Sequence, residues 1–248
     1  MNNQKTVHDE FFEHLKNSAP YVDRNLRGKA LEDYMAQHQG LTSLQKEVAV
    51  GALLGDCTLN VLKSPTKPTL KFEQGARKVN DKSYIDFLYT VFAPLVGSCP
   101  KPRYKDGKVH SYHFRTLGCP QFVFYSQQFY AINALGQRKK VVPKNIHQML
   151  TPIALAIWFM DDGSLQVRGD SKNKNNSYML HTEGFSFQDN KILQKALGSV
   201  FGLHVTMHRD NRITGTLYRL YIGTSDSKKF REIVEPYILP VMRYKLGA

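Results

Sequence analysis

Two apolar runs that each close on an acid dominate the hydrophobic pattern of this chain. Leu155-Ala156-Ile157-Trp158-Phe159-Met160-Asp161-Asp162-Gly163 is apolar until it meets two carboxylates and a glycine. Ala49-Val50-Gly51-Ala52-Leu53-Leu54-Gly55-Asp56-Cys57 has the same shape, and its Asp56 lies 106 positions ahead of Asp162. Both runs read as helices. An acid at the end of a helix sits beside the negative end of the helix dipole, so a cation is expected nearby to offset it. Gly51 and Gly55, spaced i and i+4, share one face of the first helix. Glycine costs about 1 kcal/mol in a helix interior, so a close-packed partner is expected on that face.

The rest of the pattern falls into place around these runs. Two short helical patterns occupy 6–39, one carrying Phe11, Phe12 and Leu15, the other Leu26, Ala30, Leu31, Tyr34 and Met35, with Gly40 as a stop. A helix start at Thr42 or Ser43, with Glu47 as an approximate capping box, opens the helix over 44–56. Strands are predicted over 58–62 and 69–74, the second with Leu70 and Phe72 on one face and Lys71 and Glu73 on the other. A helix over 84–95 turns Ile85, Leu88, Tyr89 and Phe92 inward. Strands over 103–105 and 109–116 are joined by the hairpin signal Asp106-Gly107, and an aromatic-rich helix follows over 122–135. The second half offers a helix over 152–162, a polar loop over 168–177 and a strand over 178–183. A helix over 190–201, strands over 203–208 and 217–223 separated by Asp210-Asn211, and a helix over 227–234 complete it.

The halves match in spacing. Thr116 to Phe122 recurs as Thr224 to Phe230, offset by 108; Lys140 follows Asp56 by 84 positions and Lys245 follows Asp162 by 83. The expectation is an α+β protein of two duplicated αββαββα units, each with an acid early and a lysine late. The predicted divisions are a helical leader over 1–40, a first repeat over 41–149 and a second over 150–248.

Composition narrows the partner. Apolar residues make up 42% and charged residues 22%, which suits a globular chain. Lys and Arg outnumber Asp and Glu by 34 to 21, a formal charge of +13. Such a surplus points to a polyanion, most often nucleic acid. No basic amphipathic helix stands out for a membrane surface, and no apolar run approaches the length of a membrane span. Cys57, Cys99 and Cys119 form no CxxC pair, which fits a reducing compartment. The N-terminus lacks a signal-peptide core, and Asp9, Glu10 and Glu13 argue against a transit peptide. The expected location is the compartment of synthesis, not the exterior.

If the two motif helices pack side by side, Asp56 and Asp162 meet, and carboxylates about 5 Å apart repel by roughly 3 kcal/mol at an effective dielectric near 20. A hard divalent cation held by these acids and free helix-end carbonyls removes the conflict. Such a cation can serve phosphodiester hydrolysis, with Lys140 and Lys245 adding positive charge at the reacting phosphate. The strands provide a polar, basic face for DNA, since a β-ribbon fits the major groove. Its candidates are Lys71, Glu73, Arg103, Lys105, His110, Tyr112 and Arg115 in the first half. In the second they are Lys172, Lys174, Asn175, Asn176, His181, Glu183, His208, Arg209, Arg212 and Arg219. For any one of these side chains, plain exposure on the surface is the competing explanation.

On these residues the chain resembles the single-chain, two-repeat LAGLIDADG homing endonucleases. The nonamers 49–57 and 155–163, Leu150-Thr151-Pro152 before the second, and Met242-Arg243-Tyr244-Lys245-Leu246 near the end are similar to mitochondrial and chloroplast intron-encoded members. The resemblance covers about 41–246; Cys57 stands in place of a final glycine and Ile157 in place of a small residue. It implies motif helices at the interface of the halves, antiparallel sheets forming a saddle, and a monomer on a long asymmetric double-stranded DNA site. It also implies Mg²⁺-dependent cleavage of both strands with 3′ overhangs, Mn²⁺ substituting and Ca²⁺ binding without supporting cleavage. Asp56 and Asp162 fall on the family's metal-binding acids, joined by Gly55 and Asp161 through backbone carbonyls or outer contacts. Lys140 and Lys245 fall on its active-site lysines, and Gln74 (or Glu73) resembles a polar residue near its active site. An organelle is implied if the gene is organelle-encoded. The alternatives are an intron RNA maturase and a non-catalytic nucleic-acid-binding protein of the same fold.

Overall fold

The computed structural model describes residues 6–16, 24–61, 64–76, 81–168, 175–212 and 215–247 of the chain. These divide between two compact units: residues up to 46 together with 56–126, and 47–55 together with the chain from 127 onward. The first motif helix is therefore shared, starting in one unit and continuing into the other.

In the first unit, α1 (Val7–Lys16) and α2 (Gly28–Gln37) precede α3 (Ser43–Leu54). Phe11 of α1 is fully buried and meets Phe87 edge-on at 5.3 Å. Arg24 ties the following segment down, donating to the carbonyls of Ala93 and Val96. The cap of α3 differs from the expectation: Thr42 Oγ1 accepts from Gln45 N while Gln45 Oε1 accepts from Thr42 N. Glu47 is instead a partner of Thr151.

The first sheet runs β1 (Thr58–Asn60), β2 (Thr69–Gly75), and, after α4 (Asp81–Phe92), β3 (Lys101–Lys105) and β4 (Lys108–Arg115), in the spatial order β1-β2-β4-β3. Alternation in β2 puts Leu70 and Phe72 under α4, where Phe72 stacks on Phe114 at 4.8 Å and meets Phe92 at 5.1 Å. Asp106 and Gly107 take φ of +50° and +73°, the left-handed pair that a two-residue hairpin turn needs. The predicted helix over 122–135 is shorter: α5 (Val123–Phe129) gives way to a hairpin of β5 (Tyr130–Ile132) and β6 (Arg138–Lys140). Asn133 Oδ1 accepts from the backbone of Leu135 and Gln137, so the Asn side chain closes that turn, with Gly136 at φ +73°.

The second unit repeats the plan with α6 (Pro152–Asp162), β7 (Gly163–Arg168), β8 (Asn175–Leu180), α7 (Phe187–Phe201), β9 (Val205–Arg212), β10 (Gly215–Ile222) and α8 (Thr224–Val234). Its sheet has the order β7-β8-β10-β9, the same as the first. The duplicated αββαββα order is thus present along the chain. Two details differ from the pattern: β7 is a strand that periodicity does not single out, and Asp210 and Asn211 lie inside β9 rather than in a turn. Residues Ile153 to Met160 of α6 are buried without interruption, as a helix that is apolar all round must be. Phe159, Tyr178 and Phe230 form the aromatic centre of this core, with centroids 4.8–5.6 Å apart. No helix among the described residues is long and apolar enough to cross a membrane.

Candidate metal centre and nucleic-acid interface

The site begins with two glycines. A Cβ on Gly51 would stand 2.8 Å from Ile157 Cβ and closer still to the carbonyl oxygen of Ala154; one on Gly55 would stand 2.5 Å from Asp161 Cβ. The face that carries Gly51 and Gly55 is therefore pressed against α6, and only glycine permits that separation. Motif positions explain the arrangement. Gly51 corresponds to Ile157 and Gly55 to Asp161, so each small residue of the first motif faces a larger one of the second. Thr151, the N-cap of α6, adds a 2.5 Å hydrogen bond to Glu47 Oε2 at the other end.

Both helix ends carry an ammonium group. Lys140 Nζ donates to the Gly55 carbonyl at 2.7 Å, and Lys245 Nζ donates to the carbonyls of Met160 at 2.5 Å and Asp161 at 3.2 Å, with Phe159 at 3.4 Å. The two carbonyls at matching motif positions thus each meet the late lysine of their own half. Part of the negative helix end that the sequence leaves unbalanced is met here by lysine. Asp56 is exposed, and Asp161 and Asp162 are half-buried. In the first unit, Gln74 Nε2 donates to Asp56 Oδ2 at 3.3 Å, so the end of β2 reaches the first acid. In the second, the Asp162 carbonyl accepts from His181 N at 2.8 Å.

The donor set suits a hard cation. Among the described residues there is no group of three or more His, Cys, Asp or Glu side chains that could hold a metal ion. In the second unit the Asp162 carboxylate and the carbonyls of Gly55 and Asp161 offer oxygen donors, and in the first unit the Asp56 carboxylate does. Oxygen donors of this kind suit hard divalent cations rather than soft ones.

Register decides which strand residues share a face. On the first sheet Lys71 pairs with Arg115, Glu73 with His113, Lys101 with His113 and Arg103 with Ser111, so these seven side chains lie on the face away from α4. Glu73 is held there by Lys71 at 2.6 Å, Ser111 at 2.8 Å and Arg103 at 3.4 Å. Burial alone would raise its pKa, but the bonds from Lys71 and Ser111 and the two cations bring it below the ordinary carboxylate value. His113 is pushed below the imidazole range, first by burial and then by Arg103 and its cationic neighbours. Tyr112 pairs with Gln74 on the opposite face, beneath Lys82 of α4. Lys105 and His110 are exposed near the hairpin tip, His110 being the extra residue where the register shifts.

On the second sheet Arg219 donates to Glu183 at 2.5 Å and Asp210 at 2.6 Å. His181 bridges Ser164 at 2.8 Å and Glu183 at 3.4 Å, and His208 pairs with Arg219 and stacks on Tyr221 at 4.4 Å. Glu183 is lowered despite burial, by a hydrogen bond from its own backbone and those from Arg219 and His181. Arg209 pairs with Tyr218 and Asn176 with Val167 on the helix-bearing side. Lys172 and Lys174 lie outside the described residues, as do the side chains of Asn175 and Arg212. Lys101, Ser111, His113 and Asp210 escaped the sequence reading. Continuing the alternation of β2 across its neighbours would have found the first three, whereas Asp210 resembles a turn residue until β9 is seen to extend past it.

Comparison with known proteins shows the family of the chain. DNA endonuclease I-ChuI of Chlamydomonas applanata is 30% identical over 216 residues, 84% of this chain and 96% of that relative. Cytochrome b mRNA maturase bI2 of Saccharomyces cerevisiae is 31% identical over 81% of this chain, which spans about half (46%) of the maturase. A solved structure of the homing endonuclease I-WcaI bound to its DNA recognition sequence superposes with a TM-score of 0.76 at 30% identity, covering 90% of this chain and 95% of that one. The family model for the LAGLIDADG DNA endonuclease family matches residues 46–230, which take in both motif helices and both sheets. With its two acid-tipped helices, matched lysines and twin sheets, the chain belongs to the LAGLIDADG DNA endonuclease family.

Proposed function

We propose that the protein is a site-specific homing endonuclease that cuts both strands of a long, asymmetric double-stranded DNA target and leaves 3′ overhangs. The observation that carries this reading is the matched pair of lysine–carbonyl contacts, Lys140 on Gly55 and Lys245 on Asp161, each one residue ahead of an acid. A protein that only binds nucleic acid has no use for two lysines and two acids at the ends of packed helices. In this reading Asp56 and Asp162 hold Mg²⁺, helped by the carbonyls of Gly55 and Asp161; Mn²⁺ substitutes, and Ca²⁺ binds without cleavage. The bound cation supplies a more acidic water and charge neutralisation at the phosphate. Lys140 and Lys245 keep positive charge where negative charge gathers on the scissile phosphate. Gln74 holds the Asp56 carboxylate in one orientation.

The outer faces of the two sheets take the DNA. Lys71, Arg103 and Arg115 of the first, with His181, His208 and Arg219 of the second, meet phosphates and base edges. Glu73 and Glu183 hold the neighbouring Arg side chains in place or accept from cytosine. With both halves in one chain the protein acts as a monomer, encoded by an intron and located in the organelle if the gene is organellar. The test is Mg²⁺-dependent linearisation of a plasmid carrying a site selected from a randomised DNA library. Asp56→Asn and Asp162→Asn should each abolish it, and undiminished cutting by either variant would sink the mechanism.

Likeness to a cytochrome b mRNA maturase favours one second reading, assistance to the splicing of intron RNA. Selective binding of the wild-type chain to its structured intron RNA, over an RNA of equal length, would support it.

A further inference from the structure

We propose that residues 24–27 and the edge of the first sheet form a phosphate pocket that grips the DNA backbone beyond the stretch read by the strands. The proposal rests on the DNA-endonuclease reading and adds a contact outside the two repeats.

A cavity of about 350 Å³ in the first unit is lined by Arg24, Asn25, Arg27, Ser98, Lys101 and Arg115, among others, and among the described residues no acid lines it. Arg27, Lys101 and Arg115 are exposed, and none of them has an ion-pair partner among the described residues. Clustered cations without a counter-charge repel each other, and an anion in the cavity removes that cost.

The segment is fixed in place. Arg24 Nη1 donates to Ala93 O at 2.5 Å and Val96 O at 2.7 Å, Arg24 N donates to Gly97 O at 2.9 Å, and the guanidinium lies 5.3 Å from the Tyr34 ring centre. These anchors hold Asn25 at φ +31°, a conformation that side-chain-bearing residues rarely adopt. Arg27 is thereby carried to the sheet edge.

The chemistry of the lining selects a backbone over a free nucleotide. Among the described residues it has no aromatic face to stack a base and no carboxylate to hold a ribose. Lys101 and Arg115 also belong to the outer face that carries Lys71, Arg103 and His113, so the pocket continues that positive surface past its rim. A duplex lying on the strands would present its next phosphates here. Contacts of this kind position without reading sequence.

The experiment measures binding of the full chain, wild type and Arg27→Ala/Lys101→Ala, to a long duplex carrying the selected target and to an unrelated duplex, over a salt series. The double variant should flatten the plot of log K against log[salt] by about 1 to 2, near 0.9 for each phosphate lost. It should weaken both duplexes by the same factor, with melting temperature unchanged, and Arg27→Lys should keep the wild-type slope. An unchanged slope, a loss confined to the target duplex, or a loss seen only with structured intron RNA would overturn the pocket while leaving the endonuclease reading intact. A wild-type chain that binds neither duplex would overturn both.

Discussion

Gly51 and Ile157 occupy corresponding positions of the two motifs and lie against each other. The two helices occupy matching places in the repeat yet are unlike in sequence, and the difference is complementary: where one carries no side chain the other carries a branched one. Gly51→Ala would gain about 1 kcal/mol of helix propensity but would drive a methyl to within 2.8 Å of Ile157 Cβ and into the Ala154 carbonyl. Overpacking of this kind costs about 1–3 kcal/mol or more, so the urea midpoint should fall. Ile157→Ala should not rescue it, because the Ala154 carbonyl is backbone; a stabilised Gly51→Ala would show that the helices can part.

Lys140→Met and Lys245→Met keep the aliphatic length and remove the ammonium. Each removes one hydrogen-bond donor from the helix-end carbonyls, a cost of about 1 kcal/mol. If the lysines act on the reacting phosphate, single-turnover cleavage should drop by about 10²–10³ while gel-shift affinity for the target is kept. A drop of only a few-fold would reduce both lysines to helix caps.

Acid should loosen both sheets in the same way. Glu73 and Glu183 have folded pKa values below their ordinary ones, so the unfolded chain takes up protons first as pH falls. Their contribution is complete above the unfolded carboxylate range, about 4.3, and is lost as pH drops through the lower folded values. Thermal melts in acid should show the loss, and Glu183→Gln should reduce its pH dependence. A melting temperature that stays flat across that range would exclude the coupling.

Binding of DNA should draw a proton onto His113. Burial and the nearby Arg103, Lys71 and Arg115 hold its pKa down, and phosphates on that face oppose the cationic part. The bound state then holds the proton more tightly, so affinity should rise as pH falls towards and below the ordinary imidazole value of about 6.5. His113→Gln should flatten that dependence, and an equal slope in the variant would assign the proton elsewhere.

Much of this was legible in the chain itself. Alternation in Leu70, Lys71, Phe72 and Glu73 gave the strand and its two faces, and Asp106-Gly107 gave the hairpin, because both depend on neighbours in sequence. The matched spacing of Asp56 with Lys140 and of Asp162 with Lys245 gave the duplication. Position of the glycines on one helical face required a close partner. What depends on distant residues was hidden. The aromatic run over 122–130 hides the end of α5 at Phe129, and nothing local keeps Asp210 in a strand; pairing of β9 with β10 does that. Tyr112 looked like a partner of DNA by residue type, but its register opposite Gln74 turns it to the helix side. Sequence determined that the helix ends needed a cation. Only the tertiary structure brought Lys140 and Lys245 to those carbonyls, because closing a contact across some 85 residues takes a folded core to hold both ends.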